Sequence, residues 1–172
     1  MGTSKLVAVM SFKVSPIGLI HTPFKTSENV PIQPAFSNVE GEAVVLSEFV
    51  DGLHSLEGFS HIILVYWFHK AKSPKLKVRP YLDQTEHGLF ATRAPSRPNP
   101  IGVSVVELIR INENKIMFKG ADMLDKTPLL DIKPYVPGFD GVIDARVGWL
   151  ERHLSDSEKE SKIADSRFTI NE

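Results

Sequence analysis

The chain of 172 residues contains no cysteine. A disulfide framework, a cysteine zinc ribbon and a thiol nucleophile are therefore excluded. Long apolar runs are also missing: "LVAVM" near the amino terminus is too short for a signal-peptide core, and no stretch approaches a membrane span. Met1-Gly2 opens like a myristoylation signal, but Leu6 stands where serine or threonine is wanted, so a cytoplasmic protein is expected. The formal net charge of -1 removes any overall electrostatic pull on nucleic acid. There is no G-x-G-x-x-G, no Walker lysine loop and no G-x-S-x-G elbow, which leaves Rossmann nucleotide binding, P-loop chemistry and elbow-type serine catalysis without support. No H-E-x-x-H occurs either, and His61 and His69 would stand about 26 Å apart on one strand at ~3.3 Å per residue, too far to share an ion. No metal is expected.

What the chain does contain is a succession of short runs rich in β-branched and aromatic residues, punctuated by glycine and proline. These predict a mainly β, single-domain barrel or sheet. Strands are expected over residues 14–22, 41–46, 61–70, 88–92, 101–111, 115–121 and 129–132. The seven apolar residues from Ile62 to Phe68 suggest a strand buried on both faces. "INENK" reads as a hairpin loop, residues 49–56 as a short helix, and Trp149, Leu150 and Leu154 as a carboxy-terminal helix leading into a charged tail. The organisation expected is a leader over 1–11, the barrel over 12–148, and the helix and tail over 149–172. Lys70, Lys72, Lys75, Lys77 and Arg79 form a local basic run without an intervening acid, either a solvated loop or a nucleic-acid contact.

Two segments are built to aim polar side chains. In "RAPSRPNPIG", Pro98 and Pro100 fix their own φ and push Arg97 and Asn99 toward extended backbone. Arg93 and Arg97 carry planar donor forks suited to a carboxylate or phosphate, and Gly102 permits close approach of another group. A proline-stiffened surface loop is the plain alternative. The second segment, "ADMLDKTPLLDIKPYVPG", sets Asp122, Asp125 and Asp131 among Thr127, Lys133 and further prolines. Here Asp125 and Thr127 either hydrogen-bond a ribose or amine, or open a turn. His69 and Lys70, at the end of the apolar run, fall where a barrel meets solvent.

"PIGLIHTPFK", "LEGFSHIILVYWFH", "GLFATRAPSRPNPIGVSVVEL" and "DKTPLLDIKPYVPG", in that order, resemble the TrmO-like (TsaA-like) family and cover most of residues 14–138. The resemblance implies a non-Rossmann β-barrel methyltransferase that uses S-adenosyl-L-methionine, acts as a homodimer, and methylates the exocyclic adenine nitrogen of threonylcarbamoyladenosine in the tRNA anticodon loop. Carried over by motif, the cofactor site comprises Pro31, Ile32, Gln33, His69, Lys70, Arg93, Val103, Asp125, Lys126, Thr127 and Pro128. Two departures stand out. Ile32 replaces an arginine usual in the family, which removes a cationic contact. Lys126 replaces a frequent glycine, which argues against a left-handed backbone there.

Methyl transfer from a sulfonium is an in-line displacement that chiefly requires alignment. Arginine suits the cofactor carboxylate, aspartate its ribose or ammonium, and apolar barrel residues its adenine. A ureido nitrogen must lose its proton, so a general base is expected, with Asp122, Asp125 and His69 as candidates and Asp125 favoured instead as a cofactor ligand. Arg97, Asn99 and Lys133 are the substrate-binding candidates. Two other readings fit the same residues: a methyltransferase of this fold acting on another nucleoside or a small metabolite, and a non-catalytic barrel that binds RNA or nucleotide through its basic loop.

Overall fold

The computed structural model describes residues 13–142 and 144–153. Residues 1–12, which include the whole of the expected leader, and the part of the expected helix and tail from Leu154 onward lie outside the described residues.

Alternation of inward and outward side chains sets the architecture. In β1 (Gly18–His21), β2 (Glu40–Val45) and β3 (His61–Trp67), every second residue is buried, as a sheet with one core-facing side requires. Two short strands, β4 (Lys77–Val78) and β5 (His87–Gly88), pair as a separate ribbon. The long β6 (Ile101–Asn112) is followed by β7 (Lys115–Lys119) and β8 (Thr127–Pro134). Six strands close an antiparallel barrel in the order β1-β2-β7-β6-β3-β8, which leaves this sheet no free edge. Register shifts between Val65 and Tyr66 and between Leu108 and Arg110 mark bulges of the kind that bend a sheet toward closure.

The core fills the barrel. Ile20, Ala43, Val45, Ile62, Leu64, Tyr66, Val106, Ile116, Phe118 and Leu129 point inward, Leu53 and Leu56 come from the segment before β3, and Ala121 and Met123 come from the segment after β7. Gly41 is tailored to this packing: a Cβ there would stand 2.5 Å from Cζ of Phe118. At the β6–β7 hairpin Glu113 takes a left-handed backbone, and Asn114 Nδ2 donates to the Val45 carbonyl at 2.8 Å, tying the hairpin tip to β2.

The barrel, the hairpin and most strands match the sequence-based expectations, with three corrections. β3 is buried on one face only, because its outer residues Ile63, Val65 and Trp67 lie half-buried on the outside of a single-layer wall. Residues 88–92 are not a strand: β5 ends at Gly88 and a 3₁₀ turn covers Leu89–Ala91. The helix expected over 49–56 is two 3₁₀ segments, Ser47–Leu53 and Leu56–Gly58. Near the carboxy terminus, Gly148–Leu150 forms a 3₁₀ turn that continues as helix over residues 151–153, in line with the expected helix, whose Leu154 part lies outside the described residues.

Candidate functional site

Antiparallel order brings the ends of β1, β3 and β7 and the beginnings of β2, β6 and β8 to one mouth of the barrel. The segments singled out in the sequence meet there. Residues 31–37 reach the mouth because Ser37 Oγ donates to the Ala121 carbonyl at 2.6 Å, next to Asp122. The loop between β5 and β6 reaches it because the Pro100 carbonyl accepts from Phe68 N–H at 2.7 Å. Across these two loops Arg93 Nη1 donates to Gln33 Oε1 at 2.7 Å, joining two expected cofactor contacts.

Around the start of β8, Asp125 is the most heavily engaged carboxylate. Lys25 Nζ lies 2.6 Å from its Oδ2, while Thr22 N–H (3.2 Å) and His21 Nδ1 (3.3 Å) approach its Oδ1. Chiefly through Lys25, with help from Thr22 and His21, its pKa is held at about 2 despite partial desolvation. Asp125 is thus a fixed anion at neutral pH, fitted to receive cationic or hydroxyl groups. The next residue, Lys126, has φ 61°, so the left-handed backbone that the lysine argued against is present and is carried by a lysine. Thr127 Oγ1 donates to the Leu124 carbonyl at 2.7 Å and lies 3.4 Å from His69 Nδ1. Burial and the neighbouring Lys70 lower the His69 pKa, against the pull of Asp125, so its imidazole is neutral at pH 7.

Behind these residues lies a chain of hydroxyls. Tyr66 OH and Ser104 Oγ are 3.0 Å apart, and Ser104 Oγ donates to Asp122 Oδ1 at 2.7 Å. Burial raises the Asp122 pKa to about 7, outweighing Ser104, its own backbone N–H and the charge of Arg93, all of which favour the anion. Burial, reinforced by Asp122, keeps the Tyr66 phenol protonated well above its ordinary range. The two carboxyls of the mouth are therefore in opposite environments: Asp125 is a locked anion, and Asp122 is poised near neutrality.

Not every predicted residue joins the mouth. Arg97 Nη1 is directed at the carbonyls of Thr92 (2.9 Å), Ala94 (3.4 Å) and Leu89 (3.5 Å), so part of its donor fork holds its own loop together instead of pointing at a ligand. Asn99 is exposed, and its carbonyl accepts from Ile101 N–H. Lys133 pairs with Asp131 at 2.7 Å toward the far end of β8, about 20 Å along the strand from Thr127 at ~3.3 Å per residue. Val103 points outward from the barrel wall and is 55% exposed. Pro128 pairs with Leu19 on β1, while Pro31 and Ile32 are half-buried. Tyr66 and Ser104 escaped sequence reasoning, as did the Asp125 partners His21, Thr22 and Lys25. A faint signal for the first pair was Gly102, which stands opposite Tyr66 and leaves room for its ring. No cluster of three metal-ligating side chains occurs among the described residues, and no helix among them is long and apolar enough to cross a membrane.

Comparison with known proteins gives consistent matches. Residues 19–141 match the family described as the tRNA-methyltransferase O N-terminal domain. A probable S-adenosyl-L-methionine-binding protein of Pyrococcus abyssi is 53% identical over 154 residues, covering 89% of this chain and 83% of that protein. A tRNA (adenine(37)-N6)-methyltransferase of Escherichia coli K12 is 33% identical over 82% of this chain and 65% of its own length. The crystal structure of TrmO from Pseudomonas aeruginosa superposes with a TM-score of 0.69 at 42% identity, covering 81% of this chain and 62% of that one. The chain thus spans about two thirds of the bacterial relatives and most of the archaeal one.

Proposed function

Because this chain belongs to the tRNA-methyltransferase O N-terminal domain family, we propose that it transfers the methyl group of S-adenosyl-L-methionine to the exocyclic N6 of threonylcarbamoyladenosine beside the anticodon of tRNA. The observation that carries this reading is the convergence at one barrel mouth of Gln33, His69, Arg93, Asp125 and Thr127, from four separate segments. Their chemistry suits the cofactor. Arg93, held by Gln33, offers remaining donors to the methionine carboxylate, and Asp125 faces its ammonium or ribose hydroxyls. When bound, the cofactor supplies the electrophilic methyl group. The protein's part is to hold donor and acceptor in line and to exclude water.

Lys70, Lys72, Lys75, Lys77 and Arg79 are all exposed, on the segment that leads from the mouth through β4. They supply phosphate contacts for the anticodon loop that the overall charge does not. A homodimer fits the outer surface of the wall. Ile101, Val103 and Val105 on β6 lie directly beside Trp67, Val65 and Ile63 on β3, forming one apolar face at the exposed edge of the mouth. Pairing two copies through this face would cover Val103 and bring both basic loops onto one substrate.

The test is methyl transfer from labelled cofactor to threonine tRNA with and without the threonylcarbamoyl group, followed by nucleoside mass analysis. Label confined to the modified adenosine supports the proposal. Label on unmodified tRNA, or none on either, refutes the acceptor assignment.

A further inference from the structure

We propose that the Asp122 carboxylate is the general base of this methyl transfer, accepting the acceptor nitrogen's proton on Oδ2 while Ser104 and Tyr66 hold Oδ1 from behind. The inference rests on the functional reading above and adds to it the identity of the proton acceptor.

The two oxygens of Asp122 have different surroundings. Oδ1 receives the Ser104 hydroxyl at 2.7 Å. A serine has only one proton to give, so its oxygen is left to accept from Tyr66 OH at 3.0 Å, and the chain runs in one direction from tyrosine through serine to carboxylate. Both hydroxyls are buried, with Ser104 1% and Tyr66 2% exposed, so water does not compete for these bonds. Besides Ser104, Asp122's own backbone N–H favours the carboxylate. Asp122 itself is only half-buried, so its carboxyl is reachable from the mouth. A carboxylate anchored through one oxygen has the fixed orientation that a general base requires.

The charged and titratable groups acting on Asp122 come from each element around it: Tyr66 from β3, Ser104 from β6 and Arg93 from the β5–β6 loop. Their balance, dominated by burial, gives a base whose pKa of about 7 matches neutral working conditions. The competing groups fit less well. Asp125 is held by three donors and is a very weak base. His69 Nδ1 is engaged with Thr127, and its basicity is lowered. In the step itself the N6 lone pair forms the new N–CH3 bond as the S–CH3 bond breaks. The bonding pair stays on sulfur, which leaves as a neutral thioether, and the N6 proton passes to Oδ2.

The experiment measures single-turnover methyl transfer to threonylcarbamoylated tRNA against pH for wild type, Asp122→Asn, Ser104→Ala and His69→Gln, with cofactor affinity measured by calorimetry. Wild type should gain rate with pH through a limb near neutrality. Asp122→Asn should bind cofactor within about threefold of wild type, lose rate by ~100- to 10,000-fold and lose that limb. Ser104→Ala removes a donor that favours the anion, so its limb should move to higher pH; a merely structural serine would lower rate without moving it. Asp122→Asn that keeps rate within about threefold, or a limb that disappears in His69→Gln instead, overturns the assignment while leaving the methyltransferase reading intact. If Asp122→Asn does not fold, an unmoved limb in Ser104→Ala overturns it. Wild type that methylates no tRNA overturns the functional reading and the base together.

Discussion

Replacing Gly102 with alanine puts the packing of the mouth to a direct test. An ideal Cβ at this position would stand 2.5 Å from Cζ of Tyr66 and 2.9 Å from Cζ of Phe68. Carbon atoms pack at about 3.5–4.0 Å, so the tyrosine ring would have to retreat by roughly 1 Å. It has little freedom to do so. Phe68 packs edge-on against it with ring centroids 5.3 Å apart, and its hydroxyl is tied to Ser104 at 3.0 Å. Overpacking of this kind costs about 1–3 kcal/mol. For a domain of this size each kcal/mol lowers Tm by about 2–4 °C, so a loss of ~2–12 °C is expected by calorimetry. Since the retreating ring pulls on Ser104, single-turnover methyl transfer should fall at least about tenfold beyond any change in cofactor affinity. Gly58→Ala is the control, because a Cβ there meets nothing within 4 Å; it should stay within about 0.5 kcal/mol of wild type. A Gly102→Ala protein as stable and as active as wild type would refute both the packing argument and the Tyr66–Ser104–Asp122 chain.

Four further outcomes follow from individual residues. Lys126→Gly should raise stability by about 0.5–1 kcal/mol in urea titrations, since relief of a left-handed lysine at φ 61° exceeds the entropy cost of glycine. The folded-state pKa of Asp125 is depressed to about 2, so its contribution to stability is present above the ordinary 3.8 and lost as pH falls through about 2. Asp122 has the opposite sign: its pKa rises from 3.8 to about 7, so wild type loses stability as pH climbs between these values, and Asp122→Asn should gain relative to it from pH 4 to 8 in urea midpoints. Trp149 stacks on His87 with ring centroids 4.5 Å apart and donates from Nε1 to the Ala91 carbonyl at 2.9 Å, two residues before Arg93. Trp149→Leu should therefore weaken cofactor binding by about three- to tenfold in calorimetry, with faster amide exchange over residues 87–93.

Strands were legible where local pattern and tertiary position agreed. Runs rich in β-branched and aromatic residues placed β2, β6 and β7 to within a residue or two, and "INENK" placed the hairpin. β8 runs from Thr127 to Pro134, longer than the strand expected over 129–132. Pro128 lies at the start of the strand, where β8 pairs with β1, and pairing with β3 begins only at Leu129. The segment 88–92 failed in the opposite sense. Its residues favour a strand, but Arg97 reaches back from five to eight positions away to gather the carbonyls of Leu89 and Thr92, and the chain curls into a 3₁₀ turn around that guanidinium. Nothing local to "GLFAT" announces that contact.

The candidate site divides along the same line. Arg93, Asp125 and Thr127 were visible as residue types in stiff, polar segments, and Gln33 only through the family resemblance. Their partners were not, because Asp122 meets Ser104 across 18 positions, Tyr66 meets Ser104 across 38, and Asp125 meets Lys25 across 100. An antiparallel barrel makes this separation unavoidable: its mouth collects three strand ends and three strand beginnings, so each segment contributes only one or two side chains. The same architecture creates the chemical asymmetry. Asp125 follows Asp122 by three residues, yet one carboxyl faces Lys25 and the exposed rim while the other sits over the buried hydroxyls of the core. Two aspartates in one short segment thereby become a permanent anion and a proton acceptor, and their difference is made by which strands they meet, not by the residues beside them.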